Sequence, residues 1–249
     1  MEWTDDAIVL STRRHGEANA VLEAMTRSHG RHLGLVRGGR SRKLAASLQP
    51  GNVVSLTWRA RLDEHLGYFT VEPLRHRAAV LMTSAVGLHA VQTLAAHLRL
   101  LPERDPHPAL HDAVDEVLDR LQDPAEAGAL MVVFELQLLD ELGVGLDLGA
   151  CALTGARDDL AWVSPKTGRA AAREAGAPYA DRLIPLPPYL AARPGTNYPP
   201  PSAADLEAGF RLAGHFLESR VWHARGLDPP LSRDMLIRAI RTAAGGEES

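Results

Sequence analysis

The stretch NVVSLTWRARL, residues 52–62, alternates apolar and polar side chains more clearly than any other predicted strand of the chain. Its apolar face carries Val54, Leu56, Trp58, Ala60 and Leu62, and its polar face carries Ser55, Thr57, Arg59 and Arg61. Since neighbouring residues of an extended strand point to opposite sides of a sheet, the pattern predicts a strand with one buried face. Trp58 lies on that face, which favours a core position over stacking on a ligand.

Four further short segments on either side of this stretch are also rich in β-branched and aromatic residues, and turn residues separate them. They are residues 7–13, 19–27, 32–38 and 67–74. Five strands in about 75 residues predict a small barrel, and a longer connection between the third and fourth strands is typical of an OB-fold. The open face of that fold commonly takes single-stranded nucleic acid.

The connection between the third and fourth strands contains RGGRSRK, residues 37–43, a basic run in a chain of net charge -4. Residues 1–77 hold 12 Lys and Arg against 8 Asp and Glu, whereas residues 78–249 hold 15 against 23. The window 24–62 contains eight basic residues and no acidic one. This asymmetry predicts a polyanionic partner for the N-terminal part.

Arginine offers phosphate a planar fork of donors, and Gly38-Gly39 lets the backbone approach a phosphodiester closely. The alternative to phosphate binding is a solvated loop whose charges serve only solubility. The acid-free window and the barrel favour phosphate binding. Tyr68 alternates with Phe69 and is expected to face outward, where it can stack on a base. The predicted DNA-binding residues are Arg31, Arg37, Arg40, Arg42, Lys43, Arg59, Arg61 and Tyr68. Since aromatic residues make up only 5% of the chain, phosphate contacts with weak sequence preference are expected.

From about residue 78 the apolar spacing becomes helical, which predicts helices that pack into a bundle on one side of the barrel. The predicted helices are residues 78–101, 108–122, 124–143, 202–226 and 232–244. Residues 145–201 between them carry Gly, Pro and short strand-like pieces, and the Pro-dense residues 185–201 are predicted to be extended loop. The fold class is therefore α+β, with an N-terminal domain over 1–77 and a helical domain over 78–249.

Catalytic and metal-binding patterns are weak. His107 and His111 are four residues apart with Asp115 one turn further on, but no zinc-protease motif accompanies them. The chain has no nucleotide-binding glycine loop, and Cys151 has no histidine near it in sequence. We expect no enzyme activity, no cofactor and no metal; a hydrolase that uses Cys151 or the His107/His111 pair is the enzymatic alternative.

No apolar run approaches the roughly 18 to 20 residues that span a bilayer, and the start MEWTDDAIVL lacks the features of a signal peptide. A single cysteine fits a reducing compartment. We therefore expect a cytoplasmic protein with no membrane partner.

Three stretches distributed over nearly the whole chain carry a resemblance to a known family. They are TRSHGRHLGLVRGGRSRK (26–43), FELQLLDELGVGLDLGACALTG (134–155) and DMLIRAI (234–240). They resemble the RecO family of bacterial recombination-mediator and repair proteins. The resemblance implies a non-enzymatic, nucleoid-associated protein of the RecF pathway that binds single- and double-stranded DNA and anneals complementary strands.

The resemblance also implies partners. RecO-like proteins act with RecR and the single-stranded-DNA-binding protein (SSB) to load RecA during gap and double-strand-break repair, so RecA is an indirect partner. The SSB C-terminal tail is acidic with an apolar end, so its dock should pair an apolar groove with an arginine. Arg211, Arg220 and Arg225 are candidates for that arginine. A protein-interaction scaffold, whose acidic helical bundle is the working surface, is the alternative to a DNA-binding mediator.

Many members of the family carry a zinc ribbon with two Cys-x-x-Cys pairs at the place of residues 145–182. Here Cys151 stands at the first position, Thr154 at the second, and Ala172 and Ala175 where the second pair would fall. One thiolate cannot hold a structural zinc ion by itself. We expect a metal-free ribbon-like insertion in which Cys151 is buried, in preference to a redox role.

Overall fold

The computed structural model describes residues 1–191 and 200–245. The chain forms two compact units, Met1–Leu121 and Gln122–Ser249. The sequence places a domain boundary after residue 77, and that boundary stays a prediction. No helix in the described ranges is long and apolar enough to cross a bilayer.

The first unit contains a closed five-stranded barrel. Its strands are β1 (Glu2–His15), β2 (Asn19–Thr26), β3 (Gly30–Val36), β4 (Val53–Arg59) and β5 (Tyr68–Arg75), and helix α1 (Arg42–Ser47) lies between β3 and β4. The strand order is β1-β2-β3-β5-β4, with β4 pairing back to β1; every pair is antiparallel except β3 with β5. This is the OB-fold that the spacing of the strands predicts.

The alternation in residues 52–62 is confirmed over the paired part of the strand. Val54, Leu56 and Trp58 are buried in the barrel core, and the Trp58 indole N–H donates to the Leu66 carbonyl at 3.0 Å. The prediction is wrong for Leu62, whose side chain is 46% exposed. Strand β4 ends at its last pair with β1, so Leu62 lies in the loop that follows and has no neighbouring strand to cover it.

Three helices complete the first unit: α2 (Ala78–Leu81), α3 (Ala85–Leu98) and α4 (Pro108–Asp119). Helices α3 and α4 pack against β1 and β2, and they also supply charges to the barrel. The buried Glu23 accepts hydrogen bonds from Arg31 at 3.1 Å and from Arg99 of the α3 C-cap at 3.0 Å. Burial alone would raise the pKa of Glu23, but hydrogen bonds from Arg99 and Ser11 outweigh it and lower the pKa.

The second unit is mainly helical. It contains α5 (Pro124–Glu141), a small sheet of β6 (Leu160–Val163), β7 (Ala170–Ala172) and β8 (Ile184–Pro185), α6 (Arg173–Gly176), α7 (Ala203–Phe216), α8 (His223–Arg225) and α9 (Leu231–Gly245). Residues Ala177–Arg182 and Pro188–Leu190 are 3₁₀ turns, and Leu217–Trp222 is a π-helical turn between α7 and α8. A buried bidentate ion pair between Arg233 of α9 and Glu135 of α5 (2.7 and 2.8 Å) ties these helices together.

The helical predictions are confirmed to within a few residues, apart from a break at residues 82–84 that separates α2 from α3. The insertion predicted over residues 145–182 contains β6 and β7, and the third strand of that sheet, β8, lies just after it. The loop predicted for residues 185–201 lies partly outside the described residues, and its described part includes the 3₁₀ turn Pro188–Leu190.

Candidate nucleic-acid interface

The basic run consists of the exposed turn after β3 and the first two residues of α1, Arg42 and Lys43. Gly38 has φ +64, a conformation that favours glycine, and its N–H donates to the Asn19 side chain at 3.1 Å. Gly39 packs so closely on Ala20 of β2 that a Cβ at position 39 would lie 2.9 Å from the Ala20 Cβ. The Ser41 hydroxyl then caps the start of α1. The two glycines therefore bend the chain around the first residues of β2, and the cations of the run face solvent.

Arg37 and Tyr68 form one side of this surface. The Arg37 guanidinium lies 4.3 Å from the centre of the Tyr68 ring. Tyr68 is 46% exposed and Phe69 only 4%, as the alternation along the strand predicts. The parallel pairing of Leu35 with Tyr68 brings the end of β3 beside the start of β5. An arginine stacked on an exposed tyrosine offers both a charge and a flat face to a ligand.

A groove of about 420 Å³ adjoins this pair. Its lining is Val36, Arg37, Leu44, Arg59, Tyr68, Phe69, Thr70 and Val71. The lining combines aliphatic and aromatic surface with two arginines and contains no acidic residue. Such a mixture suits an unpaired nucleotide, whose base is flat and apolar and whose phosphate is anionic.

Acidic residues from outside residues 24–62, the acid-free window, pair with some of the cations inside it. Arg59 pairs with Glu2 at 2.7 Å, because β1 and β4 are neighbours in the barrel. Arg27 pairs with Asp112 of α4 at 2.9 Å, and its hydrogen bond lowers the pKa of Asp112 to about 2. These cations have partners from distant parts of the chain, so their positive charge is reduced.

Arg31 is buried, although the sequence analysis predicts it among the exposed DNA-binding residues. Its side chain is only 10% exposed and pairs with Glu23 at 3.1 Å and with Glu103 at 3.5 Å. A guanidinium already held by two carboxylates cannot reach a phosphate without breaking a buried ion pair. We therefore leave Arg31 out of the interface.

Five predicted cations remain exposed and have no acidic partner within the described ranges. They are Arg37, Arg40, Arg42, Lys43 and Arg61. Four of these belong to the basic run. The run is therefore the densest uncompensated positive charge of the predicted set.

Arg13 and Arg14, at the end of β1, were not among the predicted residues. Both are exposed, and neither has an acidic partner in the part of the chain that the structure describes. Arg14 pairs with Ala20, and Ala20 pairs with Val36, so a single row of the sheet connects Arg14 to the end of β3. The adjacent arginines just before a Gly-containing turn were the available signal, but they lie outside the acid-free window.

The ribbon-like insertion does not fit a zinc ion. Cys151 is 3% exposed, and Thr154, Ala172 and Ala175 supply no second thiolate or imidazole. Burial raises the pKa of the Cys151 thiol, but hydrogen bonds from the Thr154 hydroxyl and from backbone amides lower it overall, to about 7. The insertion thus keeps amides directed at the sulfur without a set of metal ligands.

The histidine pair does not form a metal centre either. Asp115 is held by Arg75 and Arg77, and the Nδ1 of His111 lies 3.2 Å from Asp112. Over residues 1–191 and 200–245, no three His, Cys, Asp or Glu side chains are placed to share one metal ion.

The second unit contains an apolar groove between α7 and α9, with a volume of about 220 Å³. Leu206, Phe210, Ile237 and Ile240 supply its apolar surface. Glu207 and Arg241 also line it, and they form an exposed ion pair at 3.7 Å. The three arginines proposed from the sequence for an apolar dock do not line it. Arg220 donates instead to the carbonyls of Val144 and Gly145, at 3.0 and 3.2 Å.

Comparison with known proteins gives matches over most of the chain. A family model described as "Recombination protein O N terminal" matches residues 1–77, and one described as "Recombination protein O C terminal" matches residues 84–226. The chain is 56% identical to "DNA repair protein RecO" of Chelativorans sp. (strain BNC1), over 100% of both chains. It is also 56% identical to the protein of that name from Rhizobium rhizogenes, over 98% of this chain and 93% of the relative. For the Methylobacterium nodulans relative the identity is 53%, over 99% and 100%.

Proposed function

The chain belongs to the RecO family of DNA repair proteins, and from that membership we propose that it binds DNA through its barrel and anneals complementary strands. In this role it acts as a non-catalytic mediator of recombination in gap and double-strand-break repair. The observation that carries the proposal is the set of exposed cations that have no acidic partner among the described residues, Arg37 and Arg40 after β3 and Arg42 and Lys43 at the start of α1.

Phosphate binding explains why these cations lack acidic partners. Each exposed Arg or Lys that meets a phosphate releases condensed counterions, and this release drives binding that depends on salt and hardly on sequence. The loop backbone is held by Asn19 and by the packing of Gly39 on Ala20, so the cations are positioned before DNA arrives. The same screening reduces the repulsion between two phosphate backbones, which gives annealing a physical basis without a fuel.

The groove beside Tyr68 supports a preference for single strands. Bases of an unpaired strand can turn outward and stack on an exposed aromatic ring, whereas bases inside a duplex cannot. Tyr68 is exposed and Arg37 lies over its ring. Duplex DNA would then bind mainly through the phosphate contacts of the basic run.

The partners that we propose are RecR and SSB, with RecA as an indirect partner. Family membership supports all three, and for the SSB tail the groove between α7 and α9 adds a surface of suitable chemistry. Apolar side chains of that groove can receive an apolar tail end. Arg241 can meet the acidic residues of the tail by exchanging its exposed ion pair with Glu207 for them. A cytoplasmic, nucleoid-associated location follows from the proposed role.

The proposal is tested by replacing Arg37, Arg40, Arg42 and Lys43 together by Glu and titrating binding to labelled single-stranded DNA at several salt concentrations. We expect affinity to fall by about tenfold or more, and the slope of log affinity against log salt to flatten by up to about 3, since each single-strand contact contributes roughly 0.7.

A matched control replaces four exposed arginines of the second unit, Arg157, Arg182, Arg211 and Arg238, by Glu. It changes the net charge by the same amount, so it separates a local site from a general charge effect. Unchanged affinity in the loop variant, or an equal loss in both variants, would refute the assignment and favour the scaffold alternative.

A further inference from the structure

The cations of the basic run point to two different sides of strand β3. On one side, Arg37 extends over Tyr68 of β5, next to the groove. On the other side, the Arg40 guanidinium donates to the carbonyls of Gly16 and Glu17, in the turn between β1 and β2. The Arg40 backbone N–H also donates to the Ala18 carbonyl at 3.1 Å. The run is therefore anchored to β5 in one direction and to the β1–β2 turn in the other.

The β1–β2 side has cations of its own. Arg13 and Arg14 are exposed and have no acidic partner among residues 1–191 and 200–245. Arg14 lies in the same row of the sheet as Ala20, on which Gly39 of the basic run packs. Arg13, Arg14 and Arg40 therefore all lie at the end of the β1–β2 hairpin, and we call these three cations the hairpin cluster. Arg13 and Arg14 are consecutive strand residues, so they offer charge on the two opposite faces of the sheet. Glu17 is exposed in the same turn, but it is the backbone carbonyl of Glu17 that holds Arg40.

The two clusters are separated by the width of the intervening strands. Arg14 and Val36 stand at the ends of a row that crosses β1, β2 and β3, and neighbouring strands lie about 4.8 Å apart. The row therefore spans about 10 Å between backbones, close to one Debye length at physiological ionic strength. Cations on both sides of such a span can hold two phosphate backbones next to each other while screening the repulsion between them.

We propose that the barrel binds two nucleic-acid strands at once, one along the Arg37–Tyr68 groove and a second along the hairpin cluster of Arg13, Arg14 and Arg40. This inference rests on the proposed function, because it describes how the same barrel anneals DNA. The groove side can stack bases, whereas the hairpin side offers charge only. The first strand is thus held more tightly, and the second is brought alongside it through its phosphates.

The experiment measures two quantities on the full chain with the Arg13→Ala/Arg14→Ala double variant. The first is the affinity for one labelled single strand, and the second is the rate at which two complementary labelled strands anneal, followed by energy transfer. We expect affinity for one strand to weaken by less than about threefold, and annealing at saturating first strand to slow by about tenfold or more.

Three further proteins make the result decisive. The Arg37→Ala/Tyr68→Ala variant should lose affinity for the first strand. The Arg157→Ala/Arg182→Ala variant of the second unit should change neither the affinity nor the annealing rate. The Arg13→Lys/Arg14→Lys variant should anneal at the wild-type rate, because phosphate binding requires charge. If annealing falls only in proportion to single-strand affinity, or does not fall, the second-strand site is wrong. If the wild-type protein neither binds nor anneals, it is instead the proposed function that fails.

Discussion

Cys151 is the single cysteine of the chain, and it is buried. Among the described residues it belongs to no group of three side chains that could hold a metal ion. The Thr154 hydroxyl and the amides of Leu153, Thr154 and Ala172 direct hydrogen bonds at its sulfur. Hydrogen bonds to the charged form of a group favour that form, so they outweigh the effect of burial here. The pKa of this thiol is therefore lowered by hydrogen-bond donors, whereas cationic neighbours usually lower the pKa of a reactive cysteine.

At the residue scale we predict that this thiol titrates near pH 7 instead of near its ordinary pKa of 9.0. Since the chain has one cysteine, the ultraviolet absorbance of wild type minus that of Cys151→Ala, as a function of pH, reports the ionisation of this thiol. Thr154→Val removes the hydroxyl donor and should raise the midpoint. A midpoint of about 9 in the wild-type protein would contradict the prediction.

The lowered pKa of the Cys151 thiol also predicts how the free energy of unfolding depends on pH. The folded-state pKa lies below the ordinary value, so the unfolded chain binds one more proton than the folded chain between pH 7 and 9. The contribution of the thiolate to stability is therefore complete above pH 9 and is lost as the pH falls through about 7. The difference in urea-unfolding free energy between wild type and Cys151→Ala should grow from pH 7 to pH 9, and a constant difference would argue against it.

At the scale of secondary-structure elements, Asn52 joins two helices of the first unit. Its side-chain oxygen accepts from the backbone N–H groups of Arg77 and Ala78, both at 2.9 Å, at the start of α2. Its side-chain nitrogen donates to the carbonyls of Ala46 and Ser47, at 3.0 and 3.2 Å, at the end of α1. One buried amide thus satisfies backbone groups of both helices, and it supports α1, whose first two residues belong to the basic run.

We predict that Asn52→Ala costs about 2 to 6 kcal/mol of stability, because it leaves the two buried N–H groups of Arg77 and Ala78 without an acceptor, at about 1 to 3 kcal/mol each. Urea unfolding measures this cost. Asn19→Ala is the matched control, since Asn19 is half-buried and its side chain accepts only the Gly38 N–H. Its cost should stay near 1 kcal/mol. Equal costs for both variants would contradict the role of Asn52.

At the scale of the whole molecule, the barrel depends on residues beyond position 77. Arg77 is buried and pairs with Asp115 and Asp119 of α4, while Arg31 pairs with Glu103. Helices α3 and α4 also pack against β1 and β2. A protein cut after residue 77 would leave buried arginines without these partners and would expose apolar surface of the sheet.

We therefore predict that residues 1–121 fold alone and bind single-stranded DNA, whereas residues 1–77 do not unfold cooperatively. Circular dichroism during thermal unfolding measures cooperativity, and fluorescence anisotropy with a labelled single strand measures binding. A cooperative transition of the 1–77 fragment would show instead that the boundary predicted from the sequence is that of an autonomous domain.

The sequence by itself determined the local periodicities of this protein, and with them the barrel strands, most helix bounds, the buried Trp58 and the outward Tyr68. These features depend on neighbours along the chain, because side chains alternate every two residues in a strand and repeat every 3.6 residues in a helix. The tertiary structure alone decided which cations lack an acidic partner and are available to bind phosphate. Arg59, Arg27 and Arg31 have carboxylate partners that are distant in sequence. Arg13 and Arg14, in contrast, precede the β1–β2 turn, whose carbonyls Arg40 of the basic run contacts. Charge interactions depend on distance in space, so an acid-free stretch of sequence does not predict an acid-free surface.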